Sequence, residues 1–310
     1  MSTTTMKAIR FHDYGGPEVL VLEEVPIPQP EPGQVLVRVI AAGVNPADWK
    51  IRAGMFKAYG PMPLPSTPGL EGAGVIEAVG ADVTRFSPGQ EVFGILIGSY
   101  AEYALALEGN LQPKPASLSF DQAASVSVGA LTAWAAIESD NLQSGKDVLI
   151  HGAAGGVGLY AVQLARWKGV NVSGTASAGN LDFIHSLGVE TALDYKAAPF
   201  ETKLHDMDAV IDTVGGDDLA KRSFKVLRPG GIFVTVAGRP GPDDGKAEGV
   251  RAMSAGRAPE ANLTKISELL VSGVIKPVVG TVFPLAQAAK AQEMSQSGHG
   301  RGRIVLHVQD

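Results

Sequence analysis

A glycine-rich turn between a buried strand and a helix constrains the fold of this chain more than any other stretch. Residues 146–151 predict a strand buried on both faces, because residues 148–150 are apolar without polar alternation. Glycines occupy positions 152, 155, 156 and 158, and the apolar residues that follow recur at helical spacing. Glycine lets the backbone approach a pyrophosphate, and the helix N-terminus offers unpaired N–H groups to an anion. The pattern predicts a dinucleotide site, with a tight connection that binds nothing as the alternative.

Composition and charge restrict the class of protein. A chain of 310 residues is about twice the length of a typical domain, so two domains are expected. The net charge of −6 and the lack of a basic run give no reason to expect nucleic acid or an anionic membrane as partner. With no cysteine, the chain has no disulfide, thiolate ligand or cysteine nucleophile. The first residues lack a signal-peptide pattern and no apolar run reaches the length of a membrane span, which favours the cytoplasm.

The pattern of predicted strands and helices changes twice along the chain. Short strands and proline-rich turns dominate residues 1–122 and indicate a partly open β-barrel. In residues 123–262 strands and helices alternate, beginning with a helix predicted over 122–139, which is typical of a doubly wound parallel sheet of about six strands. Residues 263–310 mix two helices with two strands, and we assign them to the barrel. The sequence thus predicts an α/β protein with a nucleotide-binding domain inserted into a β-barrel domain.

Six short blocks occur in the order found in one known family. They are Tyr14–Leu20, Gly43–Asp48, Pro68–Gly74, Ala153–Gly158, Leu187–Val189 with Asp194–Tyr195, and Gly300–Val305. Through them the chain resembles, from end to end, the zinc-independent medium-chain dehydrogenases/reductases of the NADPH:quinone oxidoreductase and enone reductase group. The resemblance implies a Rossmann doubly wound parallel sheet inserted into a GroES-like β-barrel catalytic domain, with the active site in the cleft between them.

The zinc-binding positions of the wider family are changed in this chain. Where the zinc-dependent relatives have a cysteine the chain has Asn45, and where they have the histidine of a Gly-His-Glu motif it has Leu70. A tetrahedral catalytic zinc site cannot be built from these side chains, and the histidines of the chain lack ligand spacing. Without a metal to polarise an alcohol, we expect hydride transfer to a conjugated acceptor, a quinone or an α,β-unsaturated carbonyl.

Asn45 and Lys50 are the candidate catalytic residues. Hydride addition builds negative charge on a carbonyl oxygen, which a nearby cation stabilises. Lys50 follows Asn45 on a segment predicted to be a cleft-facing loop, and the enone reductases resemble this chain in having a lysine after an Asn-Pro-x-Asp segment. A solvated surface lysine is the alternative. The source of the proton that completes the reduction is left open between Tyr59 and water.

The resemblance also assigns a set of cofactor-binding residues. They are Thr132, Ala154, Gly155, Gly156, Val157, Ser177, Asn180, Tyr195, Thr213, Val214, Ala237 and Arg301. For Thr132 the alternative is a helix threonine that bonds its own backbone. NADPH is expected over NADH, because the strand after the glycine turn ends at Ala176 without the carboxylate that holds the ribose hydroxyls in NAD-selective proteins. Relatives have Arg or Lys where this chain has Gly179, so the expected preference is moderate, about tenfold to a hundredfold.

These observations predict an NADPH-dependent, metal-free reductase of quinones or α,β-unsaturated carbonyls. One alternative is a catalytically silent NADPH-binding redox sensor or structural protein, since this fold does not guarantee activity. Another is an enoyl-thioester reductase. The resemblance also implies a homodimer, paired through the last strand of the nucleotide sheet near residues 249–255. The physiological acceptor is left open.

Overall fold

The computed structural model describes residues 4–60, 62–139, 142–241 and 243–310, and the chain divides into two compact units. Unit 1 comprises Met1–Val128, Glu260–Val271 and Lys276–Asp310. Unit 2 comprises Gly129–Pro259 and Ser272–Ile275. None of the helices in the described ranges is both long enough and apolar enough to cross a membrane.

The helices and strands follow one another along the chain in three groups. Unit 1 begins with β1 (Thr5–Arg10), β2 (Val21–Pro26), β3 (Gln34–Val44), α1 (Pro46–Arg52), β4 (Glu71–Val79), β5 (Glu91–Ile95), β6 (Tyr103–Leu107), β7 (Leu111–Pro113) and α2 (Phe120–Ala124). Next come α3 (Ser127–Glu138), β8 (Asp147–His151), α4 (Gly158–Trp167), β9 (Asn171–Ala176), α5 (Leu181–Ser186), β10 (Thr191–Asp194), β11 (Met207–Asp212), α6 (Asp217–Phe224), β12 (Leu227–Thr235) and β13 (Arg251–Ser254). The chain ends with α7 (Leu263–Val271), β14 (Val279–Pro284), α8 (Ala288–Ser297) and β15 (Arg303–His307).

Unit 1 is built around a mostly antiparallel sheet. The strand order is β14-β15-β3-β4-β5-β7, with β6 also paired to β3, while β1 and β2 form a separate antiparallel pair. The tail of the chain enters this sheet because β15 pairs with β3. Val35, Val37 and Val39 of β3 are fully buried and pack with Ile76 and Leu111 in the core. All other residues of β3 except Gln34 and Arg38 are buried as well, so both faces of this strand are covered.

Unit 2 is a parallel sheet with the strand order β10-β9-β8-β11-β12-β13. The order reverses between β8 and β11, so the carboxyl ends of these two strands form the crevice where such sheets bind ligands. Val148, Leu149 and Ile150 of β8 are fully buried, as their continuous apolar run predicts. The rings of Phe224 and Phe233 pack edge to face at 5.3 Å in the core. The predicted fold class, a Rossmann sheet inserted into a GroES-like domain, is confirmed.

Two helices differ from the sequence prediction. The helix predicted over 122–139 is divided into α2 and α3, and at the break the Ser125 hydroxyl donates to the Gln122 carbonyl (2.7 Å), which competes with the helix ladder. The segment after Asn45, predicted to be a loop, is the helix α1. Its start carries recognisable signals, since a proline is its first residue and Asp48 accepts the Asn45 N–H at 2.8 Å.

Candidate functional site

The glycine turn lies at the carboxyl end of β8, as predicted. Gly152 has a φ of +69°, and a Cβ on Gly158 would lie 2.1 Å from the Gly152 carbonyl oxygen. A side chain at position 158 would therefore force the backbone to move. The Gly155 N–H donates to the Gly152 carbonyl (2.9 Å), and α4 begins at Gly158. The predicted cofactor residues of this turn are Ala154, Gly155, Gly156 and Val157. They precede the helix N-terminus, where backbone N–H groups favour an anion.

A buried histidine that was not among the predicted site residues holds the turn. His151 is 1% exposed, with its Nδ1 3.1 Å from Thr175 Oγ1 and its Nε2 3.0 Å from Ser223 Oγ. The Ser223 hydroxyl donates to the Leu219 carbonyl (2.7 Å), so it accepts from Nε2–H, and Nδ1 accepts from Thr175. The Thr175 oxygen also receives the Gly152 N–H at 3.4 Å. Burial lowers the pKa of His151 to about 4, which keeps the ring neutral and this arrangement fixed at neutral pH.

The buried carboxylate of Asp212 joins the loops that follow β11 and β12. Its Oδ1 accepts the N–H groups of Val214 (2.9 Å) and Gly215 (3.0 Å). Its Oδ2 accepts the Thr235 hydroxyl (2.7 Å), whose oxygen in turn receives the Ala237 N–H (3.1 Å). Two predicted cofactor residues, Val214 and Ala237, are thus held at one edge of the sheet.

Thr213 connects this edge to the glycine turn. Its hydroxyl donates to the His151 carbonyl (2.8 Å), and a Cβ on Gly152 would lie 2.6 Å from its Oγ1. Gly129 of α3 also meets the turn, because a Cβ there would lie 2.8 Å from the Gly156 carbonyl oxygen. Thr132 is one helical turn further along α3. Thr213 and Val214 thus lie at the glycine turn, and the first residues of α3, the helix that carries Thr132, lie beside it.

The end of β9, predicted to receive the 2′-phosphate of NADPH, carries no acidic residue up to Asn180. Asn180 donates to the Ser177 hydroxyl oxygen (3.1 Å). The Tyr195 N–H, just past β10, donates to the Ala176 carbonyl (3.2 Å), which places a half-exposed Tyr195 beside Ser177. Lys196 follows, with its ammonium 5.6 Å from the Tyr195 ring centroid. This cation was not predicted, although it directly follows a predicted site residue. Arg301, by contrast, is exposed in the turn before β15 of unit 1.

Lys50 lies in the last turn of α1 and is half-buried. Its ammonium is 5.5 Å from the ring centroid of Trp49. None of the ion pairs in the described part of the chain involves Lys50, so no carboxylate neutralises its charge. A cation of this kind is able to stabilise a developing oxyanion. The side chain of Tyr59 lies outside the described residues.

Asn45 belongs to a buried network. It is 2% exposed, its Nδ2 donates to Glu71 Oε1 (2.9 Å), and its Oδ1 accepts from Arg303 Nη2 (2.8 Å). Arg303 also donates to Glu71 Oε1, and Glu71 Oε2 accepts the N–H of Val128 in the first turn of α3 (2.7 Å). Glu71 is fully buried and Arg303 nearly so. Both polar atoms of Asn45 are thus engaged, which favours a supporting role over direct contact with a substrate.

This network does not fit the zinc ion that the wider family binds. The amide of Asn45 is already bonded, Leu70 has no donor atom, and the guanidinium of Arg303 neutralises the carboxylate of Glu71. A zinc ion would add positive charge beside a buried Arg303 without a thiolate or imidazole to receive it. Within the described ranges, no group of three or more His, Asp or Glu side chains is arranged to hold a metal ion.

A parallel sheet with a glycine turn at its switch point is the arrangement that binds dinucleotides in doubly wound folds. The profile of the family described as "Alcohol dehydrogenase GroES-like domain" matches residues 31–116, and that of "Zinc-binding dehydrogenase" matches residues 187–306. The chain is 36% identical to the mouse (Mus musculus) quinone oxidoreductase over 97% of both chains. It is 34% identical to the NADPH-dependent alkenal/one oxidoreductase of Arabidopsis thaliana chloroplasts, over 97% of this chain and 79% of the relative.

Among solved structures, the quinone oxidoreductase of Coxiella burnetii matches 98% of this chain and 100% of its own with a TM-score of 0.90 at 33% identity. The chain therefore belongs to the medium-chain dehydrogenase/reductase family, which confirms the resemblance, and it is an oxidoreductase.

Proposed function

We propose that this oxidoreductase is a metal-free reductase that uses NADPH to reduce quinones or α,β-unsaturated carbonyls. The observation that carries the proposal is the Asn45–Glu71–Arg303 network, which fills the family's zinc-ligand position with bonded, charge-balanced side chains. Without a Lewis acid an alcohol is not activated for hydride loss, whereas a conjugated carbonyl is already electrophilic. The names of the relatives, a quinone oxidoreductase and an alkenal/one oxidoreductase, support the same acceptors.

Lys50 is the residue to which we assign electrostatic catalysis. When bound, NADPH would supply a hydride, and hydride addition to a quinone or to the β-carbon of an enone leaves negative charge on the carbonyl oxygen. The ammonium of Lys50 stabilises that oxygen, and its partial burial strengthens the interaction by lowering the local dielectric. Water or Tyr59 gives the proton. We assign Asn45 a supporting part through its bonds to Glu71 and Arg303.

The preference for NADPH rests on the chemistry at the ends of β9 and β10. Ser177 and Asn180 offer donors to a 2′-phosphate, no carboxylate lies between Ala176 and Asn180 to repel it, and Lys196 brings a cation to the neighbouring strand. Gly179 lacks the charge of its counterparts in relatives, so we keep the expected preference in kcat/KM at about tenfold to a hundredfold. Equal kcat/KM with NADH would contradict this assignment.

The test is a turnover assay that follows the loss of NADPH absorbance with quinones, alkenals, enones and an enoyl thioester. We expect turnover with a quinone or an enone, at a rate that dialysis against a strong chelator does not change. A rate that is lost to the chelator and restored only by Zn²⁺ would contradict the metal-free mechanism. NADPH binding without turnover of any acceptor would favour a silent sensor, and turnover of the thioester alone would favour an enoyl reductase.

Lys50→Ala tests the residue assignment. It should lower kcat/KM by about a hundredfold, the scale of losing one oxyanion donor. Lys57→Ala is the matched control, because Lys57 is an exposed lysine of the same region whose ammonium lies 4.1 Å from the Tyr14 ring centroid. Equal, small effects of both substitutions would return Lys50 to the solvated-surface interpretation.

A further inference from the structure

The short helix that carries Lys50 presents two charged residues to the protein interior. Asp48 and Arg52 are four residues apart and share one face of α1, whereas Lys50 lies between them on another face. Asp48 and Arg52 are each 1% exposed, while Lys50 is half-buried. With seven residues, α1 is too short to be stable through its own hydrogen bonds. Its position therefore depends on what the inward face contacts.

The first contact fixes the start of α1. Asp48 Oδ2 accepts the hydroxyl of Tyr100 (2.9 Å) and the N–H of Asn45 (2.8 Å). Tyr100 is fully buried, and burial raises its pKa well above the ordinary value, so it stays a neutral donor. Burial, helped by the charge of Glu71, also raises the pKa of Asp48 to about 7, against the opposing effect of its hydrogen bonds and of Arg303.

The second contact fixes the end of α1. Arg52 Nε donates to Gln292 Oε1 of α8 (2.7 Å), and Arg52 Nη1 donates to the Gly15 carbonyl (2.8 Å). The Gly15 N–H returns a bond to the Arg52 carbonyl (3.1 Å), which makes the contact reciprocal. Gln292 is fully buried. A planar guanidinium with two fixed acceptors leaves this end of the helix little freedom to rotate.

We infer that Asp48 and Arg52, with Tyr100 and Gln292, are positioning residues that fix α1 so that Lys50 meets the carbonyl oxygen of the acceptor. The inference rests on the proposed role of Lys50. Burying two ionisable side chains is costly, and apolar residues of similar size would hold a helix in place at least as stably. Directional bonds at both ends instead fix the rotation and the translation of the helix. Stabilisation of an oxyanion needs that accuracy, since a misplacement of about 1 Å lowers rates by about a hundredfold.

A double-mutant cycle with Lys50 tests this inference. Tyr100→Phe removes one hydroxyl and leaves the ring, so Asp48 loses a donor with little change in packing. We expect kcat to fall about tenfold with KM changed less than about twofold, and no further fall when the substitution is made in Lys50→Ala. Tyr103→Phe in β6 is the matched control in the same unit and should leave kcat unchanged. A purely structural loss would lower kcat by the same factor with or without Lys50.

Gln292→Met repeats the test at the other end of α1, and it replaces Tyr100→Phe in the double-mutant cycle if that variant does not fold. Circular dichroism and unfolding in urea show which variants are folded. Unchanged kcat in the folded variants, or losses that simply multiply with that of Lys50→Ala, would overturn the inference and leave the proposed function standing. If Lys50→Ala itself has no effect on any acceptor, the proposed role of Lys50 fails first and the positioning role fails with it.

Discussion

Acid should destabilise unit 2 through His151. Burial holds the pKa of the folded histidine at about 4, below the ordinary 6.5, although the neighbouring carboxylate of Asp212 acts in the opposite direction. Between these two values the unfolded chain binds a proton that the folded chain does not. The free energy of unfolding therefore rises with pH across this window. The contribution of His151 to it is lost as the pH falls from 6.5 towards 4.

The size of the effect follows from the two pKa values. The full difference between 6.5 and about 4 corresponds to about 3 kcal/mol, of which about 2 kcal/mol is lost between neutral pH and about pH 5. His151→Gln removes the titrating ring and keeps a neutral hydrogen-bonding side chain. The variant should be less stable at neutral pH, because the bonds to Thr175 and Ser223 change, but its stability should depend less on pH. The two curves should converge as the pH falls.

Urea unfolding followed by tryptophan fluorescence measures this difference. Trp134 and Trp167 of unit 2 lie 6.0 Å apart, so a Trp49→Phe background makes the signal report on unit 2. A separate signal is needed because two units need not unfold in one step. His205→Gln, at an exposed histidine of the same unit, is the control and should keep the wild-type pH dependence. Parallel curves for wild type and His151→Gln down to about pH 5 would refute the linkage argument.

The remaining predictions concern the cofactor, the buried network and assembly. A Cβ on Gly179 meets nothing within 4 Å, so Gly179→Lys should fit and raise the NADPH-over-NADH ratio of kcat/KM by about tenfold; an unchanged ratio would place the 2′-phosphate elsewhere. Arg303→Leu leaves buried Glu71 unpaired and should lower the free energy of unfolding by about 3 to 5 kcal/mol in urea, with Glu71→Gln/Arg303→Leu recovering part of it. If β13 pairs two copies, light scattering should give twice the chain mass of 32.2 kDa, and Met253→Asp on that edge strand should shift the mass towards the monomer.

The nucleotide sheet was predictable because its signals are local. The apolar run of β8 and the glycines after it lie within a few residues of one another, and together they indicate a buried strand that turns tightly into a helix. α1 was missed although its signals are equally local. Asn45, a proline at the first helical position and Asp48 form a helix start, but a seven-residue helix shows little apolar periodicity to support it.

The buried networks of unit 1 were beyond prediction because their partners are distant in sequence. Glu71 and Arg303 are separated by 232 residues, and Arg52 and Gln292 by 240. A buried charge needs a partner, but this general rule does not say which of the chain's basic residues is the partner of Glu71. Only the sheet pairing of β15 with β3 brings Arg303 to Asn45. The sequence therefore predicted a catalytic Asn45 without indicating the buried network that this asparagine joins.

The position of Lys50 shows how one local assignment changes a functional argument. On a loop, a lysine two residues from Asp48 would be free to pair with it, and its charge would be partly cancelled. On a helix, residues two apart point in different directions, so Asp48 turns inward to Tyr100 and Lys50 keeps its charge. The burial of Arg52 one turn after Asp48 follows from the same periodicity. The helix thus separates Lys50, the cation to which we assign catalysis, from the ionisable residues that we infer hold it in place.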